Sequence, residues 1–144
     1  MTSRTTRPSL VLSSLLVIAA IVSAGAAGSP EADAILGTWQ GTSVCTNREV
    51  APSCKDEQTR YTCTRGKGTE GGMHMVAEKL VNGEFASMGD LDFDYVPTER
   101  RWKCELKSAH AVWSFSVEGD RLSGTLVDVP TGKQTRTVSA ARKK

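Results

Sequence analysis

Four cysteines, two histidines, three alternate aspartates and a set of aromatics are the residues best suited to chemistry. Cys45, Cys54, Cys63 and Cys104 make an even set, which in an exported chain points to disulfides. Three connectivities are open. We favour Cys45–Cys54, closing a Pro-containing loop at the end of the first strand, and Cys63–Cys104, joining two predicted strands. Zinc is the competing use, but no C-x-x-C pair exists and both histidines are remote from the cysteines in sequence. His110, beside a turn, could ligate haem or act as an acid–base group. The plainer reading is an exposed loop histidine, and His74 is read the same way. Asp90, Asp92 and Asp94 offer oxygens to a hard cation. Alternate strand positions hold them about 6.6 Å apart, however, so they repel unless other ligands join them. A solvated outer face is the reading adopted. The chain has no G-x-S-x-G, P-loop or H-E-x-x-H. We therefore expect a protein that is not an enzyme, with no metal and no cofactor. Trp102, Trp113, Phe115 and Tyr95 remain as candidate ligand-binding residues, able to stack on an apolar molecule and equally able to fill a core.

The elements that position these residues begin after residue 35. Arg4 and Arg7 precede an apolar run from Leu10 to Val22, followed by small residues through Gly28. This is the pattern of a signal peptide, with cleavage expected after Ala26. The apolar run is too short for the ~20 residues of a membrane span. The cleavage point carries no cysteine, so a lipid anchor is not expected there, and no stable membrane insertion of the mature chain is expected. Removing residues 1–26 leaves one domain, a flexible lead-in over 27–35 and a β-domain over 36–142. Of the 18 basic residues, Arg4 and Arg7 leave with the leader, whereas all 16 acidic ones stay. The mature chain is then close to neutral, which argues against nucleic acid as a partner. The expected location is secreted or periplasmic.

Turn signals recur every eight to twelve residues from Ile35 onward, without a long helical period. Eight strands are expected, starting near residues 36, 58, 73, 84, 101, 111, 121 and 134. Asn82-Gly83 is the clearest hairpin turn, and a break is expected near Gly89. Leu91, Phe93 and Tyr95 alternate with the aspartates. Trp102, Cys104 and Leu106 share a face, as do Ala111, Trp113, Phe115 and Val117. The third strand has apolar residues on both faces, so its inward side stays open. Eight strands joined by short turns predict an antiparallel up-and-down β-barrel, with an open sandwich as the alternative.

Gly37-Thr38-Trp39 resembles the G-x-W signature of the calycin superfamily, the lipocalins and their relatives. The resemblance implies a tryptophan closing one barrel end beneath a basic residue of the last strand. The even strand count brings Arg142 near Trp39, while Arg136 shares its phase further up the strand. A closer resemblance is to small exported bacterial barrel proteins of uncharacterised function. It rests on Gly37 to Cys45, Cys54, Asp56-Glu57, Trp113-Ser114-Phe115 and Gly119 to Leu126. The chain is shorter than a lipocalin and lacks its C-terminal helix.

The expected function is binding of a small apolar ligand or a partner protein. The site should lie at the mouth opposite Trp39, near Cys45–Cys54 and Asn82-Gly83. The alternative is an envelope interaction module or protease inhibitor acting through residues 27–34 as an arm, and an avidin-like vitamin binder is a third reading.

Overall fold

Alternation of inward and outward side chains gives each strand one face for a core. The computed structural model describes residues 29–67 and 71–144. The expected leader lies outside the described residues. Eight strands follow one another: β1 (Gly37–Cys45), β2 (Glu57–Arg65), β3 (Met73–Val81), β4 (Glu84–Val96), β5 (Arg101–Leu106), β6 (Ala111–Glu118), β7 (Arg121–Asp128) and β8 (Lys133–Arg142). They close in sequence order, with β8 antiparallel to β1, into an up-and-down barrel. Such a closed barrel is consistent with the lipocalin-like fold that the G-x-W resemblance implies.

The register fixes the interior. Trp39, Gly41, Ser43 and Cys45 stand opposite Arg142, Ala140, Val138 and Arg136. Tyr61 and Cys63 stand opposite Ala77 and Met75. Met73 and Met75 are buried, which makes their phase the inward one on β3, with His74 and Val76 turned outward. Asn82 and Gly83 both take positive φ, 51° and 86°, as a type I′ hairpin turn requires. At Gly89 the strand does not break. One extra residue, Met88, is accommodated where Ala77 pairs with Gly89 and Glu78 with Ser87.

One end is closed as the resemblance implied. Arg142, rather than Arg136, lies over the Trp39 ring, with its guanidinium carbon 4.1 Å from the centroid. Arg142 also donates to the carbonyls of Leu36 (2.8 Å) and Ala34 (2.7 Å). Trp39 Nε1 donates to the carbonyl of Ile35 at 2.8 Å. These bonds tie residues 34–36 to the barrel end. Pro30–Asp33 forms one helical turn, α1, capped by Ser29. Ala32 and Ile35 are buried beneath the barrel end.

Cys45 and Cys54 form a disulfide. The second expected bridge does not form, and Cys63 and Cys104 are free thiols. Strands β3 and β4 stand between β2 and β5 in the wall. Three strand spacings amount to roughly 14 Å, well beyond the reach of a disulfide.

Candidate functional site

The barrel is not filled throughout. Its upper half encloses a cavity of about 310 Å³ on the side away from Trp39, lined by residues of β1 to β6 and β8. That volume is at the lower limit of ~300–1,000 Å³ for small-molecule sites. The apolar wall comes from the inward phases of the strands. Tyr61, Met75, Ala77, Leu91, Phe93, Leu106, Trp113 and Phe115 all face it. Trp113 and Phe115 are successive inward residues of β6, and their rings stack at 5.5 Å and 18°. Phe93 and Tyr61 meet Phe115 edge-on at 5.5 and 5.9 Å. Phe115 can occupy this position because Gly124 lies opposite it on β7. A Cβ at Gly124 would fall 2.4 Å from the Phe115 ring.

The polar groups gather at one end. Arg136, inward on β8, is only 14% exposed, and Glu57, inward on β2, is 19% exposed. Arg136 Nη1 donates to Ser43 Oγ at 2.8 Å and reaches Glu57 Oε2 at 3.5 Å. Its Nη2 donates to the Lys55 carbonyl at 2.9 Å and lies 3.1 Å from Cys54 Sγ. The disulfide therefore holds the loop against which this guanidinium rests. Lys79 Nζ takes the other oxygen of Glu57 at 3.1 Å. Burial pushes the Tyr61 hydroxyl pKa up, with the Thr59 and Ser43 hydroxyls and the Arg136 charge opposing. Tyr61 is thus a neutral O–H donor at neutral pH.

The wall opens sideways. The β4–β5 ladder consists of Asp94–Lys103, Tyr95–Trp102 and Val96–Arg101 and stops there. Above it β4 remains paired with β3 alone. Met88, Gly89, Asp90 and Leu91 on one side of this seam and Leu106 on the other all line the cavity. The hairpin above it carries exposed Leu80, Val81 and Met88.

Of the aromatics expected to bind a ligand, Trp113 and Phe115 face the cavity, and Trp102 and Tyr95 do not. The latter two pack together at 4.9 Å near the closed end, beside Pro30, Glu31 and Ala34. The expected mouth lies beside Cys45–Cys54, but Asn82 lines a separate external groove with Lys55 and Lys79. Arg136, Glu57 and Ser43 were not expected at the site. The available signal was phase, since Arg136 alternates with Val138 and Ala140, and Glu57 with Tyr61.

Of the other candidates, Asp90 reaches the cavity rim, and His74, Asp92 and His110 stand apart from it. His74 bridges Asp92 (2.8 Å) and Asp90 (3.5 Å) on the outside of β3 and β4. His110 is exposed in a left-handed turn conformation. Among the described residues no group of three or more His, Cys, Asp or Glu is arranged to hold a metal, and no helix is long and apolar enough to cross a membrane. Gly66, Gly68 and Gly71 have the G-x-G-x-x-G spacing after β2, but the next element is strand β3. A dinucleotide turn needs a helix N-terminus there. No protein-family model matches the chain, and no curated protein matches it significantly.

Proposed function

We propose that the protein is an exported, lipocalin-like, non-catalytic barrel that binds one small, mainly apolar molecule in its upper cavity. The observation that carries this reading is the 310 Å³ cavity, aromatic along one wall and polar at one end. Export is supported by the leader-like N-terminus and by the Cys45–Cys54 bridge, a bond that persists in oxidising compartments. Titration with the neutral fluorophore N-phenyl-1-naphthylamine tests the reading. Saturable one-to-one binding, abolished in a folded Ala77→Trp variant that fills the cavity, is the expected result. Absence of binding, or binding indifferent to Ala77→Trp, overturns it.

A second reading is a protein-interaction module. It is favoured by the exposed Leu80, Val81 and Met88 on the β3–β4 hairpin. Inhibition through an N-terminal arm is disfavoured for residues 29–35, which pack under the barrel. Native mass spectrometry of protein purified from its own organism separates the readings, because a retained small molecule and a retained protein differ in mass.

A further inference from the structure

We propose that the molecule bound is a small planar aromatic acid, its carboxylate against Arg136 and its ring along Trp113 and Phe115. The inference rests on the cavity being a binding site and concerns what that site selects.

The counter-charge of Arg136 at the polar end is shared. Glu57 is shared by two cations, Lys79 at 3.1 Å and Arg136 at 3.5 Å. The nearby Asp56 is engaged elsewhere, with Arg48 (3.3 Å) and the backbone N–H of Cys45 (2.8 Å). Asp90 touches the cavity rim, but it is 64% exposed and faces His74 on the outer surface. Lys79 is 42% exposed on the outer groove, so the buried guanidinium of Arg136 keeps as its counter-charge only a shared carboxylate at 3.5 Å.

The uncharged groups point the same way. Ser43 Oγ accepts from Arg136 at 2.8 Å, which leaves its own O–H to donate, and Tyr61 keeps its proton because burial disfavours the phenolate. A buried guanidinium whose carboxylate partner is distant and shared suits an anionic acceptor, and a planar carboxylate matches its fork. The Arg136–Glu57 contact, at 3.5 Å, is longer than the bond to Ser43 Oγ. It is the contact that a ligand carboxylate would replace.

The remaining lining sets the shape of the ligand. Trp113 and Phe115 stack on each other as an offset, near-parallel pair, to which a further planar ring can add by stacking or edge-on. Met75 and Met88 lie among the other walls, and thioether chains adapt to a ring edge. A volume of 310 Å³ equals that of about ten waters. This accommodates one or two fused rings and excludes a long acyl chain.

Calorimetric titration with 2-naphthoic acid and its isosteric amide, 2-naphthamide, tests the proposal at neutral pH. For the wild type the acid should bind about tenfold more tightly than the amide, as expected of one charge-assisted hydrogen bond. Glu57→Gln, which removes the competing carboxylate, should raise acid affinity by roughly threefold or more. Arg136→Met should collapse the preference for acid over amide. If Arg136→Met does not fold, the wild-type preference and Glu57→Gln still decide. Equal binding of acid and amide, or weaker acid binding in Glu57→Gln, overturns the proposal and leaves the cavity reading standing. Absence of binding by either compound overturns both.

Discussion

Phe115 lies directly against Gly124 across the β6–β7 ladder, and the missing Cβ is what sets the floor of the cavity. Gly124→Ala should drive the ring toward the lumen, where space exists. The expected cost is about 1–3 kcal/mol of stability, as for other overpacked cores. Urea unfolding and probe titration together check this, with affinity expected to fall because the displaced ring occupies the site.

Arg142→Ala should destabilise the closed end by about 1–3 kcal/mol, combining the lost cation–π contact with two orphaned carbonyls. Arg142→Lys should recover only part, because an ammonium cannot span the Leu36 and Ala34 carbonyls while covering Trp39. Denaturant midpoints give the order. Hydrogen exchange at residues 30–36 should rise in both variants.

Replacing Cys45 and Cys54 by serine should cost about 2.7 kcal/mol in the chain-entropy estimate for a loop of about ten residues. The same change loosens the Lys55 carbonyl and the sulfur surface on which Arg136 rests. Affinity for an anionic probe should therefore fall more than affinity for a neutral one, measurable by titration in reduced and oxidised wild type.

Burial pushes the Cys63 thiol up to about 12, partly opposed by Arg142. A raised folded-state value means that stability is intact below the ordinary thiol range. It declines as pH rises from the unfolded value toward 12, with a slope approaching ~1.4 kcal/mol per pH unit. Tyr61 is shifted in the same direction and adds to the alkaline loss. Cys63→Ala should flatten the decline between about pH 9 and 11. A thiol reagent should find Cys104, which is half-buried, well before Cys63.

Extending the β4–β5 register places Leu91 opposite Leu106. A disulfide between Leu91→Cys and Leu106→Cys, in a Cys104→Ser background, should stitch the seam closed. Probe release should slow by about tenfold or more on oxidation and recover on reduction, if the seam is the route of exchange. Stopped-flow displacement measures it.

The barrel and the Asn82-Gly83 turn were legible in the sequence because they follow from local rules of alternation and turn chemistry, whereas a basic residue over Trp39 was implied by the G-x-W resemblance, with strand parity bringing Arg142 near it. The inward set of β5 and β6 was equally plain, since apolar residues occupied only one phase. What was not legible depended on distance around the wall. Cys63 and Cys104 both alternate inward, but an up-and-down order keeps β2 and β5 apart, and an even cysteine count carries no such geometry. Trp102 and Trp113 looked equivalent by phase. Their heights in the barrel differ, and height decides which one meets the cavity. Arg136 and Glu57 were obscured by their charge, because an inward charged residue is expected only where a partner from another strand meets it.

With so short a ladder between β4 and β5, the molecule is a sheet rolled into a cylinder and fastened along part of one margin. Rolled sheets of this kind retain a strand margin that a neighbouring chain could extend, a hazard that full closure would abolish. Asp90 and Asp92 project beside that margin on β4, and Glu105 projects from β5. Two copies meeting margin to margin would set carboxylate against carboxylate. Neutralising the acidic stripe, Asp90 and Asp92 with Glu105, should therefore make the protein more prone to assemble, which sedimentation velocity would show as a rise in oligomer.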